Sequence, residues 1–112
     1  METNLHTEWT KTMAMMEISV VPLGTRSPGV SLYVAGCLQK IKDSGLEHQL
    51  TAMGTIVVGK IDELLRLAEE LHQLPFEMGA QRVVTTIKID DRRDKPLSIN
   101  GKVKAVEEKC QP

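Results

Sequence analysis

Three patterns in the sequence predict an α+β chain folded as a split βαβ sandwich, with a four-stranded antiparallel sheet and two main helices. Apolar residues alternate at a period of two near both ends, at Met16, Ile18 and Val20 and again at Val83, Thr85, Ile87 and Ile89, as half-buried strands require. Between them lie two stripes at helical spacing, Val30, Val34, Cys37, Ile41 and then Ile61, Leu64, Leu65, Ala68, Leu71. Two short extended runs, residues 47–53 and 55–58, separate the stripes. With right-handed crossovers, the order βαββαβ places both helices on one sheet face and makes strands one and three central.

Each element has its own punctuation. The first strand begins at Met16, carries Glu17, Ser19 and Val21 on its second face, and ends at Pro22 and Gly24. Residues 25–29 (TRSPG) are turn chemistry, and Gly45 closes the helix that follows. The two extended runs read as a hairpin split at Gly54, whose turn is not of the Asn-Gly type and leaves the register open; Gly59 ends it. Asp62 and Glu63 sit in the first turn of the second helix, where the dipole favours them. Pro75 removes the bond to the Leu71 carbonyl, so a kink or break is expected before Gly79. Residues 82–90 (RVVTTIKID) form strand four, with Val84, Thr86, Lys88 and Asp90 on its second face. Ile99, Val103, Val106 and Cys110 mark a short closing helix. Residues 1–14 show neither period and read as a loose extension, leaving residues 15–112 as one domain.

Composition narrows the function. The 112 residues are 41% apolar and 26% charged, with 14 Lys and Arg against 15 Asp and Glu. That describes one globular domain and lacks the basic footprint of a nucleic-acid binder. No apolar run approaches the roughly 20 residues of a membrane span, and the amino-terminal residues lack a secretory apolar core, so a cytoplasmic location is expected. Two cysteines, Cys37 and Cys110, suit free thiols in a reducing compartment. On apolar helical stripes they read as inert packing residues. His6, His48 and His72 are too scattered to group with them as metal ligands. The sheet face away from the helices, with Glu17, Ser19, Val21, Val84, Thr86 and Lys88, is semi-apolar and calls for a partner or ligand.

Residues 21–25 (VPLGT), 31–35 (SLYVA), 53–55 (MGT) and 82–94 (RVVTTIKIDDRRD) taken together, in order and spacing, resemble the small thiamine-binding protein family. These are single-module relatives of tandem-domain proteins that bind thiamine or its hydroxymethylpyrimidine part. The resemblance covers residues 16–109, and the run KIDDRRD after the fourth strand is its most specific part. It implies a ferredoxin-like fold, homo-oligomers (dimers assembled into tetramers), a cytoplasmic location, no catalysis and no catalytic cofactor, with thiamine as a reversibly bound ligand. The chain departs from the family in its amino-terminal extension, in Cys37, and in carrying Val57 and Val58 ahead of Gly59 where relatives tend to carry an acidic residue.

Several residues could carry the ligand. The loop 24–31 (GTRSPGVS) leads into a helix amino terminus, with Thr25, Arg26, Ser27 and Ser31 as added donors; its bland reading is a helix entry capped by Ser31 or a neighbour. Tyr33, Met53 and Val21 offer surface for a heterocycle, and Thr55, Thr86 and Lys88 offer polar contacts. Glu17 or Asp90 could balance a ring cation, although Glu17 with Lys88 also reads as a cross-strand ion pair and residues 90–95 as an ion-pair network. The expected site joins the loop 25–31, the hairpin residues 53–55 and strand four, near a subunit boundary. Two other functions compete with this binder. One is a regulatory assembly domain sensing another metabolite; the other is an acylphosphatase-like hydrolase, which would use an Arg in such a loop and an Asn, of which the chain has Asn4 and Asn100.

Overall fold

The computed structural model describes residues 12–26 and 29–110. Its elements are β1 (Met13–Pro22), α1 (Ser31–Ser44), β2 (Glu47–Leu50), β3 (Thr55–Lys60), α2 (Ile61–Glu77), β4 (Val83–Asp90) and α3 (Ile99–Glu107). The strands form one antiparallel sheet in the order β2-β3-β1-β4, so β1 and β3 are central as the split βαβ order requires. Even residues of β1 face the helices: Ala14, Met16 and Ile18 join Val57 of β3, Cys37 and Ile41 of α1, and Leu64, Leu67, Ala68 and Leu71 of α2 in one core.

Strand β1 starts three residues before the alternation that begins at Met16. Met13 pairs with Lys60 and Ala14 with Gly59, and Ala14 is 1% exposed. Its methyl continues the apolar period, but an alanine is too weak a signal to mark a strand. The boundary drawn at residue 14 therefore cuts into the sheet, while residues 1–11, with His6 and Trp9, lie outside the described residues. Removing residues 1–14 should lower the melting temperature, because two ladder pairs and a buried methyl go with them. A thermal melt of the truncated protein checks this.

Helix α2 differs in phase from the expected stripe. Leu67 is buried in place of Leu65, which is 51% exposed. The helix runs through Pro75 and ends at Glu77, and Gly79 then leads the chain away at φ 102°. The Leu71 carbonyl, deprived of its helical donor by Pro75, instead has the Cys37 thiol 3.9 Å away. In α3 only Ile99 is buried; Val103 and Val106 are exposed, and Cys110 lies exposed beyond the helix.

The second sheet face is not wholly bare. Leu97 and Ile99 are buried, Ile99 N–H lies 3.4 Å from Glu47 Oε2, and Lys102 pairs with Asp90, so the segment after β4 folds over one end of this face. Val58, the register partner of Glu47, is buried there. The other end, around Val21 and Val84, stays open. The charged run after β4 is internally paired, Arg93 with Asp91 and Arg92 with Asp94. The Arg92 hydrogen bond holds the Asp94 carboxyl down at about 2.

Candidate functional site

Strand β1 outlasts β3. Its last pair with β3 is Ile18↔Thr55, yet it pairs with β4 as far as Pro22↔Val83. Leu23 N–H donates to the Arg82 carbonyl at 2.8 Å, which sets the hydrogen-bonding phase of the strand. In an antiparallel ladder successive residues direct both backbone groups to opposite sides. Leu23, Val21 and Ser19 therefore point to β4, and Val20 points to the side where β3 has already ended. Among the described residues neither the N–H nor the C=O of Val20 has a partner.

The hairpin turn closes over this gap. Thr51 donates to the Gly54 carbonyl through both its N–H and its hydroxyl, each at 2.8 Å, and the same hydroxyl accepts from Met53 N–H at 3.2 Å. Gly54 passes so near β1 that a Cβ there would lie 2.9 Å from the Ile18 carbonyl oxygen, which only glycine tolerates. Between this turn, the free end of β1 and the inner face of α1 lies a cavity of about 290 Å³, walled by Val34, Cys37, Ile41 and Leu71. None of its lining residues is charged.

Thr55 sits at its base. It is 7% exposed, the one buried polar residue among those described, and it lies on the helix side of the sheet opposite Ile18. Its hydroxyl has no hydrogen-bond partner among the described residues. No buried side-chain oxygen or nitrogen among the described residues lacks a partner, so this hydroxyl is accessible from the cavity it lines, where a ligand group can meet it. Burial pushes the Cys37 thiol up, which keeps it protonated and a poor nucleophile.

The residues expected to form one site occupy three places. Met53 and Thr55 line this cavity. Thr25, Arg26, Ser31 and Tyr33 line a wider hollow of about 910 Å³ with Arg82 and Met78, between the β1–α1 and α2–β4 loops; Ser27 lies outside the described residues. Ser31 is not a cap: Val30 holds that position and gives no side-chain bond. Glu17, Thr86, Lys88 and Asp90 lie on the opposite sheet face, where Glu17 faces Lys88 at 3.6 Å, Thr86 faces Ser19, and Asp90 is tied to Lys102. Within one chain the sheet itself separates them from Thr55. The alternation fixed their face, but the hairpin register, which sets the face of Thr55, was open. The contribution of Val20 is backbone and leaves no mark in residue type, and Val34, Cys37 and Leu71 form a cavity wall with the same stripe as a filled core.

This frame matches known proteins along nearly its whole length. A family model described as thiamine-binding protein matches residues 16–107. The chain belongs to the thiamine-binding protein family. A UPF0045 protein from Staphylococcus xylosus is 43% identical over 99 residues, covering 85% of this chain and 92% of its own. The UPF0045 protein YqgV of Bacillus subtilis is 38% identical over 105 residues, covering 89% of this chain and all of its own. Among solved structures, a protein of Methanocaldococcus jannaschii superposes with a TM-score of 0.78 at 36% identity, over 86% of this chain and 97% of its own. A Thermotoga maritima protein, proposed to act in thiamine biosynthesis or salvage, superposes at 0.71 with 23% identity, over 84% and 98%, and confirms the ferredoxin-like fold.

Proposed function

We propose that this member of the thiamine-binding family reversibly binds a thiamine-like small molecule in the cavity at the free end of β1, without transforming it. The Thr55 hydroxyl, accessible from the cavity, carries this reading, together with the family to which the chain belongs. The lining supplies hydrogen-bonding and apolar contact but no carboxylate, imidazole or amine to move protons, and its thiol is held protonated. Calorimetry on the purified protein with thiamine, hydroxymethylpyrimidine and thiamine diphosphate should show saturable one-site binding of at least one of them. An acylphosphate hydrolysis assay should show no turnover. No binding, or acylphosphate turnover, would sink the reading.

We further propose that the protein self-associates through the open end of the sheet. Val84 is 46% exposed and lies directly across from Val21, so the face presents paired apolar side chains that one chain leaves wet. Light scattering at micromolar concentration should show a dimer or tetramer, and Val84→Glu should dissociate it. A parent protein found only at 12.4 kDa would end this proposal.

A further inference from the structure

We infer that the wide hollow between the β1–α1 and α2–β4 loops is a second ligand site, built for the phosphate group of an organic phosphate ester. It shares no lining residue with the cavity at the free end of β1 and is independent of what that cavity binds. The chain has five arginines. Arg92 and Arg93 pair with Asp94 and Asp91, and Arg66 stands one helical turn from both Glu63 and Glu70 on α2. Arg26 and Arg82 have neither an ion pair nor a side-chain hydrogen bond among the described residues, and both line the hollow. No carboxylate lines it among the described residues, and the neighbouring Glu77 is not part of its wall. In a chain of net charge −1, two positive charges thus face one concave surface with nothing opposite them.

The fold brings the two arginines together from separate loops. The Arg82 carbonyl accepts from Leu23 N–H at 2.8 Å, which sets Arg82 beside the end of β1, and Arg26 follows the turn at Gly24, where φ is 72°. The α2–β4 loop is held in turn by Gly79 N–H on the Phe76 carbonyl and Ala80 N–H on the Pro75 carbonyl, at 3.1 and 2.9 Å. Guanidinium forks match phosphate oxygens two at a time, and one dianion between two of them relieves their mutual repulsion. The Ser31 hydroxyl and the Gln81 amide add donors. The rest of the wall asks for carbon: Leu32 is 77% exposed and Met78 44%, and both line the hollow. A bare phosphate ion leaves these side chains wet, whereas the organic part of an ester covers them. The volume, about 910 Å³, has room for both parts within the roughly 300–1,000 Å³ usual for small-ligand sites.

Phenyl phosphate and inorganic phosphate are the probes, titrated calorimetrically into the full chain in about 0.15 M salt, where long-range attraction is screened. Phenyl phosphate should saturate one site, at least about tenfold more tightly than inorganic phosphate. Arg26→Gln and Arg82→Gln should each weaken it by at least about tenfold. Arg66→Gln removes the same charge elsewhere and should leave it unchanged. Leu32→Ser should weaken phenyl phosphate and spare inorganic phosphate. All four side chains are exposed, so the variants should melt with the parent. Saturating hydroxymethylpyrimidine should not displace phenyl phosphate. No binding of either probe, an equal loss in Arg66→Gln, or displacement by hydroxymethylpyrimidine would overturn the second site, and equal affinity for the two probes would overturn its choice of an ester. Failure of thiamine-type ligands to bind, with the phosphate titration intact, would remove the function of the cavity alone.

Discussion

Replacing Leu64 with alanine should destabilise the protein by about 2–5 kcal/mol, the usual cost of emptying a core leucine site. Leu64 is fully buried and packs against Gly59 of β3, where an added Cβ would already touch its Cδ2 at 3.4 Å. The surrounding wall is backbone and sheet, which relaxes little, so the cavity stays open and the cost falls in the upper part of that range. For a domain of this size each kcal/mol moves the melting temperature by roughly 4–8 °C. Leu65→Ala is the matched control: Leu65 is half-exposed, and its loss should stay within about 0.5 kcal/mol. Thermal melts of the two variants thus test the phase of α2 itself. Equal melting temperatures would mean that α2 packs through Leu65, as the sequence stripe predicts. Leu64 does not line the ligand cavity, so affinity measured below the melting range should match the parent.

Thr55→Val should separate binding from folding. The substitution keeps the shape and removes the hydroxyl, and leaving a ligand's buried polar group without its partner costs about 1–3 kcal/mol. That corresponds to a roughly 5-fold to 150-fold weaker dissociation constant. Stability should stay close to that of the parent, because the substitution keeps the shape and breaks no side-chain hydrogen bond within the described residues. Thr55→Ser, which restores the hydroxyl, should recover most of the affinity. Thr86→Val is the informative negative. Sequence reasoning placed Thr86 in the same site, but it stands across from Ser19 on the other sheet face, and its loss should leave binding unchanged.

The fold was largely legible because it depends on periodicity. Two alternating runs, two helical stripes and a hairpin between them admit few closures, and the motifs at residues 21–25 and 82–94 pointed to the right family. The errors share a physical origin: weak or redundant apolar signals at the edges of elements. Ala14 is too small to announce a strand. Leu65 and Leu67 flank the same stripe, and the tertiary contact decides between them. In the closing helix Val103 and Val106 kept their spacing but found nothing to pack on, since Leu97 and Ile99 already cover that end of the sheet.

The site was harder to read because it depends on register. A strand shifted by one residue turns every side chain to the other face, and the turn at Gly54 gave no strong signal for either choice. Once Ile18↔Thr55 is fixed, Thr55 must face the helices, and Thr86 and Lys88, paired with Ser19 and Glu17, must face away. Gly54 is the residue that permits this register, through its contact with the Ile18 carbonyl. The mismatch in length between β1 and β3, which frees Val20, follows from the same pairing and has no signature in residue type.

An amide chemical-shift titration of the labelled protein with hydroxymethylpyrimidine tests the location of the site most directly. The Val20 N–H should move furthest, with Gly54 and Thr55 beside it and Val34 following from the α1 wall, all saturating with one dissociation constant. Perturbations centred instead on Gly24–Arg26 and Arg82, or on Thr86 and Lys88, with Val20 and Thr55 unmoved, would contradict the cavity at the free end of β1 as the place where this protein holds its ligand.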